Sequence, residues 1–186
     1  MIKVHIETAN GNVPKYAHNT DAGMDICANE EVTLAPGETK LIHTGIKLAI
    51  PEGYECQVRP RSGLSLNTPL RVANAPGTID AGYRDEVCVI MQNTSDVYEI
   101  WANRVMVRED TPTNHHLISE KGNKQGWYEI KPGDRIAQLV FAKYEKTEFE
   151  VVEDVMAIDG DRGGGFGSTG VSPIEAFQLF HGFIKP

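Results

Sequence analysis

The sequence predicts an all-β sandwich or barrel, and two observations support this fold class. Apolar and polar residues alternate with the period of two that half-buried strands require, in runs at 2–6, 46–50, 54–58 and 87–91. Turn sequences punctuate the chain: APGE at 35–38, PEG at 51–53, APG at 75–77 and KPGD at 131–134. Short strands joined by such turns are typical of all-β architectures, and helical periodicity is scarce before residue 170.

The bulk composition is that of one ordinary globular domain without a membrane span. The chain has 186 residues, of which 40% are hydrophobic and 24% are charged. Its apolar runs are too short to cross a bilayer, and the N-terminal residues lack the apolar core of a signal peptide, so we expect a cytoplasmic protein. The net charge of −8 argues against direct binding to nucleic acid, because proteins that bind it usually carry a basic surface.

The three cysteines, Cys27, Cys56 and Cys88, are interpreted as reduced packing residues. They are odd in number and lack the CxxC spacing of metal and redox motifs, and each lies in or beside a strand-like run. Metal or redox chemistry is the alternative interpretation.

A polar segment at 93–128 interrupts the regular strand spacing. It is longer than a hairpin loop, so we interpret it as an insertion between two strands. The stretch IWANRVMV at 100–107 could supply a further strand inside it. The insertion is either a surface excursion or a surface that binds a protein partner.

The C-terminal residues 171–186 predict a short helix. Ser172 is a suitable N-cap, Pro173 suits the first helical position, and Glu175 at the third completes a capping box. Phe177, Phe180 and Ile184 then fall on one face of the predicted helix. Because Phe177, Phe180 and Phe183 would otherwise expose a large apolar patch, we expect the helix to pack onto an assembly of subunits; a helix that binds a protein partner is the alternative.

Residues that could take part in catalysis or ligand binding occur at five places along the chain. The first is Asp25 in DAGMDICA, an acid that follows a turn and enters a strand; alone, such an acid is usually a turn residue. The second is RPRSGLS at 59–65, whose arginines, serine and glycine suit phosphate oxygens. A solvated surface turn is an equally good interpretation of this second fragment by itself.

The third place, NAPGTIDAGYRDEV at 74–87, predicts a hairpin that carries three polar groups. Asn74 offers the adjacent donor and acceptor that reading a nucleobase edge needs. Asp80 could activate a water molecule, and Tyr83 could form the wall of a sugar pocket. The same residues could also be a turn amide, a solvated acid and a core aromatic.

The fourth and fifth places lie in the second half of the chain. GDRIAQLVF at 133–141 embeds Arg135 and Gln138 in an aliphatic strand, where a glutamine more often satisfies backbone groups than binds a ligand. DRGGGFGSTG at 161–170 is half glycine, which permits close approach of the backbone to a ligand and also suits a flexible linker.

Taken in order, AGxD, PRSGL, GxIDxxY, RIAQL and GFGSTG resemble the five motifs of the homotrimeric dUTPase family, across about residues 1–92 and 129–170. The resemblance implies a distorted jelly-roll (β-clip) barrel at 1–160 and a glycine-rich arm at 161–170. The insertion, which we expect to be β-rich, and the extension with a short helix at 171–186 are additions to the family pattern. It implies homotrimers whose active sites are shared between subunits. It also implies hydrolysis of dUTP to dUMP and pyrophosphate with Mg²⁺, which limits uracil incorporation into DNA and supplies dUMP.

The resemblance assigns roles to the residues of the third motif. Asp80 is the expected catalytic base, which deprotonates the water that attacks the α-phosphorus. Asn74 and the backbone around Gly77 and Ile79 are expected to pair with uracil in a space too tight for a 5-methyl group. Tyr83 is expected to pack against the deoxyribose and to leave no room for a 2′-hydroxyl.

The other motifs are expected to hold the triphosphate and to cover it. Asp25 is expected to bind hydrated Mg²⁺ through water. The expected phosphate contacts of the second and fourth motifs are Arg61, Ser62, Gly63 and Gln138. In the arm, Phe166 is expected to stack on uracil and Arg162 to reach the γ-phosphate, with further contacts from Gly167, Ser168 and Thr169.

The sequence departs from the family pattern at Asp85, where glycine is common, and at Arg162, which lies one residue closer to Phe166 than usual. Two alternatives to a dUTPase are a dCTP deaminase of related fold and a regulator that signals through the insertion. Two features favour the hydrolase over the deaminase: GTIDAGY supplies the expected Asp80 and Tyr83, and a deaminase-like RSSxAR motif is missing from the sequence.

Overall fold

The computed structural model describes residues 1–95, 115–160 and 163, and within these residues the all-β prediction is confirmed. The only α-helix of this part is α1 (Ser62–Asn67), and a 3-10 turn lies at Val155–Ala157. The strands are β1 (His5–Thr8), β2 (Met24–Cys27), β3 (Val32–Leu34), β4 (Thr39–Ala49), β5 (Tyr54–Arg59), β6 (Leu70–Val72), β7 (Gly77–Ile79), β8 (Glu86–Asn93), β9 (His115–Leu117), β10 (Trp127–Ile130) and β11 (Arg135–Lys143).

The strands form three sheets in a jelly-roll-like arrangement. Two four-stranded sheets have the orders β1-β4-β8-β6 and β2-β11-β5-β7, and their neighbouring strands are antiparallel. A three-stranded sheet has the order β3-β10-β9, in which β9 and β10 are parallel. Consecutive strands β6, β7 and β8 alternate between the two larger sheets, so the chain crosses from one sheet to the other on both sides of β7.

The core follows from the alternation that the sequence shows. In β8, Val87, Val89 and Met91 are at most 2% exposed, while the alternating residues Glu86 and Cys88 lie on the opposite face. Fully buried side chains from the other strands complete the core: Ile26, Leu34, Ile42, Ile46, Cys56, Tyr128, Ile136 and Leu139. The three cysteines are free thiols, of which Cys56 is buried as expected of a packing residue, whereas Cys27 and Cys88 are only partly buried.

A bulge in β4 changes the direction of two backbone N–H groups. The register with β8 shifts between His43 and Lys47, and Gly45 within the shift has a φ of 71°. A Cβ at Gly45 would lie 3.1 Å from Asn29 Nδ2, so the bulge requires glycine both for its conformation and for space. The Thr44 and Gly45 N–H groups therefore donate to Glu86 Oε1, at 3.0 and 2.6 Å.

The two ends of the predicted insertion belong to the packed fold. Asn93 Nδ2 donates to the carbonyls of Leu34 and Gly126 at 3.1 and 2.8 Å, and Asn93 is fully buried. Ser95 Oγ accepts from the Gly126 N–H at 3.1 Å. The predicted strand at 100–107 lies outside the described residues.

The predicted hairpin at 74–87 is wrong in one respect. Gly77–Ile79 (β7) pairs with β5, whereas β6 and β8 pair with each other in the other sheet. The polar groups of this segment therefore lie on two crossings between sheets, with the Ala75–Pro76 peptide in the cis form. The local pattern of turns and aliphatic residues is the same in both arrangements, so it could not distinguish them.

The chain divides into two compact units, residues 1–146 and residues 147–186. All the strands given above and α1 lie in the first unit, and the 3-10 turn lies in the second. The predicted arm at 161–170, apart from Gly163, and the predicted helix after Ser172 lie outside the described residues. No helix of the described residues has both the length and the apolar character needed to cross a membrane.

Candidate active site

Two guanidinium groups and one amide hold the Asp25 carboxylate. Arg61 donates through Nε to Oδ1 at 2.8 Å and through Nη2 to Oδ2 at 3.3 Å. Arg135 Nη1 donates to Oδ2, and Gln138 Nε2 donates to Oδ1, both at 3.2 Å. These four residues are called the Asp25 network below. Its central carboxylate is only 19% exposed.

The register of the sheet builds this network. Gln138 in β11 lies opposite Asp25 in β2 on one side and Arg59 in β5 on the other, so these residues form one row across three strands. A Cβ at Gly23 would lie 3.3 Å from Gln138 Oε1, so the glycine of AGxD leaves room for the glutamine of RIAQL. The first and fourth motifs thus form one packing unit.

The network sets the charge state of Asp25. Burial by itself raises the pKa of the carboxyl, but hydrogen bonds from Arg61 and Gln138 and the charges of Arg61 and Arg135 outweigh it. The pKa of Asp25 consequently lies below its ordinary value of 3.8. Two arginines and one ionised carboxylate leave one net positive charge at this place.

The second motif begins α1 beside the network. Arg61 is the N-cap residue, and Ser62 and Gly63 are exposed in the first turn. Contacts with Asp25 and with the Arg135 carbonyl use three of the five N–H donors of Arg61, and within the described residues two donors remain. Free guanidinium donors beside exposed Ser62 and Gly63 are groups of the kind that bind phosphate, and the phosphate contacts expected for these three residues stay a prediction.

The third motif lines a separate cleft of about 290 Å³. Asp80, exposed just after β7, shares this cleft with Asn74 and Tyr83. The remaining lining residues give it mainly apolar walls with one further acid: Leu41, Val58, Gly77, Thr78, Ile79, Glu86, Val87, Cys88 and Ile90. We call this the Asp80 cleft. An apolar concavity with a few converging polar groups is typical of a small-molecule site.

Close packing at Gly77 and a hydrogen bond from Tyr83 shape the Asp80 cleft. A Cβ at Gly77 would lie 3.0 Å from Asn74 Nδ2, so the Asn74 amide packs against the glycine backbone. Tyr83 Oη donates to the Glu86 carbonyl at 2.9 Å, which fixes the ring across the start of β8. The pKa of Tyr83 is raised, first by burial and then by the negative charge of Asp85.

One chain does not bring the Asp80 cleft and the Asp25 network together. In β5, Cys56 lies opposite Ile79 and Arg59 lies opposite Gln138. Asp80 therefore lies towards the Tyr54 end of β5, and Arg61 follows its Arg59 end. The two pairings are three residues apart, or about 10 Å of strand. No residue of the network is among those that line the cleft.

Comparison with known proteins decides the family. The family model described as dUTPase matches residues 9–103 and 114–170, which is most of the chain. The chain belongs to the dUTPase family. The family model leaves 104–113 unmatched, a shorter stretch than the insertion expected at 93–128.

Relatives and solved structures agree with this dUTPase assignment. The deoxyuridine 5'-triphosphate nucleotidohydrolase of Solibacter usitatus (strain Ellin6076) is 44% identical over 162 residues, covering 85% of this chain and 88% of that protein. That of Picosynechococcus sp. (strain ATCC 27264 / PCC 7002 / PR-6) is 40% identical over 171 residues, covering 91% and 96%.

Among solved structures, the Staphylococcus bacteriophage 80alpha dUTPase with dUPNHPP shares 33% identity and a TM-score of 0.75, and the match covers 92% of this chain and 100% of that chain. A mutant dUTPase from phage phi11 of S. aureus, with a structural Mg(II) ion, shares 31% identity and a TM-score of 0.69. That match covers 83% of this chain and 99% of the phage chain.

Asp25 of this dUTPase-family chain is a poor fit to a Mg²⁺ site in the arrangement described. Each carboxylate oxygen accepts two hydrogen bonds, which uses the roughly four acceptor positions of the group. Arg61 and Arg135 also place positive charge where a cation would have to approach. Asp25 here is a counter-ion for arginines, and it offers no free acceptor to a metal-bound water.

The structure places some residues in the site that the motifs gave no role. Arg135 joins the Asp25 network, although the sequence only marked it as a charge in an aliphatic strand. Glu86 and Cys88 line the Asp80 cleft; their alternation in β8 indicated a shared face, but no local signal indicated what that face contacts. The arm residues Arg162, Phe166, Gly167, Ser168 and Thr169 lie outside the described residues.

Proposed function

We propose that this chain is a dUTP diphosphatase, which hydrolyses dUTP to dUMP and pyrophosphate. The observation that carries the proposal is the Asp80 cleft: an exposed carboxylate, an amide and an aromatic ring converge in one concavity of a dUTPase-family chain. In that cleft, water attacks the α-phosphorus as Asp80 takes its proton. The new P–O bond forms while the bond to the bridging oxygen breaks, and pyrophosphate leaves.

The nucleoside half of the substrate is proposed to bind in the same cleft. The Asn74 amide, held against Gly77, donates and accepts along the uracil edge together with the backbone of β7. The ring of Tyr83, fixed by its hydrogen bond to the Glu86 carbonyl, closes the sugar side. A fixed ring leaves little space for a 2′-hydroxyl, and a packed backbone cannot easily yield to a 5-methyl group.

The triphosphate half is proposed to bind at the Asp25 network. Two N–H donors of Arg61 are unused within the described residues, and the exposed residues Ser62 and Gly63 begin α1 beside it. The role proposed for Asp25 is to hold the planes of Arg61 and Arg135, while Gln138 fixes the carboxylate in turn. A guanidinium held in position loses less conformational entropy when it binds phosphate than a mobile one does.

A complete site is proposed to need two subunits of a homotrimer. Within one chain the Asp80 cleft and the Asp25 network share no residue, so we propose that the cleft of one subunit and the network of its neighbour complete one site. The second unit also exposes large apolar side chains that association could cover, with Phe149 and Val151 at 89% and 96% exposure. The arm, with Phe166, is proposed to cover the bound base.

The test is dUTP hydrolysis in the presence of Mg²⁺ by the wild type and by Asp80→Asn. We expect pyrophosphate release to fall about 10²- to 10⁴-fold in Asp80→Asn, while nucleotide binding persists. Asp85→Asn is the matched control, because Asp85 is exposed on the same crossing but does not line the cleft. Equal rates for Asp80→Asn and wild type would refute the role of Asp80 as base.

A further inference from the structure

A second group of reactive side chains lies between β4 and β8. His43 in β4 is directly opposite Cys88 in β8, and Glu86 precedes Cys88 by two residues on the same strand. Cross-strand partners and residues two apart in a strand point to the same face of a sheet. Strand pairing therefore brings an imidazole, a thiol and a carboxylate together, although 43 residues separate His43 from Glu86.

The potential ligand atoms of this group are close enough to share one ion. His43 Nδ1 lies 2.8 Å from Glu86 Oε2 and 3.5 Å from Cys88 Sγ, and the three atoms all lie within 4.8 Å of one another. The other carboxylate oxygen of Glu86 is held by the N–H groups of Thr44 and Gly45. The bulge of β4 therefore leaves Glu86 Oε2 facing His43.

We propose that His43, Glu86 and Cys88 form a binding site for a thiophilic divalent metal ion of the Zn²⁺ class. Zn²⁺ prefers nitrogen, sulfur and carboxylate ligands in a tetrahedron, which places ligand atoms about 3.3–3.8 Å apart. The His43–Cys88 separation already matches, and the His43–Glu86 separation has to lengthen by only about half an ångström. A thiolate and a carboxylate balance the charge of the ion, and the fourth position is open to water.

The site is reachable and lies in a negative environment. The side chain of His43 is 49% exposed and that of Glu86 is 29% exposed, so an ion can enter from solvent. Glu30 adds a second carboxylate nearby by accepting the backbone N–H of His43 at 3.0 Å. Glu86 and Cys88 also line the Asp80 cleft, so a bound ion would lie at the border of the proposed nucleotide site.

A nucleophilic cysteine is the competing interpretation of the same group, and the surroundings of Cys88 disfavour it. The ring nitrogen that faces Cys88 Sγ, His43 Nδ1 at 3.5 Å, lies closer to Glu86 Oε2, at 2.8 Å, so the imidazole is paired with the carboxylate and not with the thiol. In the proposed site, the thiol proton leaves to solvent as the sulfur–metal bond forms.

The experiment titrates the full chain, free of nucleotide, with Co²⁺ and records the near-ultraviolet band of thiolate-to-metal charge transfer. We expect one Co²⁺ per chain, displacement by Zn²⁺ and no displacement by excess Mg²⁺, because Mg²⁺ prefers oxygen ligands. Cys88→Ser should abolish the band, and His43→Gln, at an exposed position, should weaken Co²⁺ binding at least about tenfold. Cys27→Ser, which changes a thiol outside the group, should leave the band unchanged.

Three outcomes would overturn the proposal: no band in the wild type, a band that survives Cys88→Ser, or a band lost in Cys27→Ser. Circular dichroism of the metal-free variants shows whether each is folded. If Cys88→Ser does not fold, the His43→Gln result decides, and unchanged Co²⁺ affinity in that variant would also overturn the proposal. None of these measurements depends on dUTP hydrolysis.

Discussion

Arg61 and Asp25 are joined by two hydrogen bonds, from Nε to Oδ1 at 2.8 Å and from Nη2 to Oδ2 at 3.3 Å. The pair ties the start of α1 to β2, and Arg135 adds a third element, β11. The side chains of Asp25 and Arg61 are 19% and 25% exposed, so the pair is largely shielded from water. Its strength and its pH dependence can both be measured.

Asp25→Asn should destabilise the protein by about 2 kcal/mol at neutral pH, because it removes a charged acceptor shared by two arginines. The folded-state pKa of Asp25 lies below 3.8, so its contribution is fully present above that pH and is lost as the pH falls through the folded-state pKa. Urea unfolding of both proteins at about pH 7 and about pH 3, at one protein concentration, measures the difference.

The stability difference between wild type and Asp25→Asn should shrink in acid. A difference that stays constant to acid pH would contradict the assignment of an ionised, paired Asp25. Asp159→Asn is a suitable control, because Asp159 is exposed and should show no difference at either pH.

Mixed oligomers should test whether Asp80 and Arg61 of different chains form one site. The Asp80→Asn and Arg61→Gln variants are each expected to be nearly inactive alone. Equal amounts of the two variants are mixed, unfolded and refolded together, so that oligomers containing both kinds of chain form. In a random mixture about a quarter of shared sites contain both native residues, so activity should reappear to about that extent. A mixture no more active than the mean of the separately refolded variants would show that each chain uses its own pair.

Gly77→Ala should raise the KM for dUTP about tenfold and change kcat less, since a Cβ there would lie 3.0 Å from Asn74 Nδ2 and displace the amide. Gly82→Ala is the matched control, because nothing lies within 4 Å of a Cβ at Gly82. Steady-state kinetics of both variants measure the effect. An unchanged KM for Gly77→Ala would mean that Asn74 does not need this position to read the base.

Deletion of 104–113 should leave folding and dUTP hydrolysis intact, because the family model does not match this stretch. Deletion of 94–127 should instead destabilise the fold, since it removes Ser95 and Gly126, whose hydrogen bonds hold buried Asn93. Thermal unfolding, size-exclusion chromatography and hydrolysis rates compare the two variants. Equal stability of both would show that the Asn93 contacts are dispensable.

Much of this protein could be predicted from its sequence, because the relevant information is local. Alternation with period two fixes which side chains share a face, and it correctly indicated the core face of β8 and the strand containing Cys56 and Val58. The motifs likewise identified Asp25, Arg61, Asp80 and other polar residues as candidates. The types and faces of residues are properties of a short stretch of chain.

Only the tertiary structure decided which of these residues meet. Asp25 lies 36 residues from Arg61 and 110 from Arg135, and no local pattern specifies such pairings. The assignment of β6 and β7 to different sheets, and the pairing of His43 with Cys88, also depend on strand order and register. Register is set by burying one face of every strand at once, and this condition is satisfied by the whole chain and not by any segment of it.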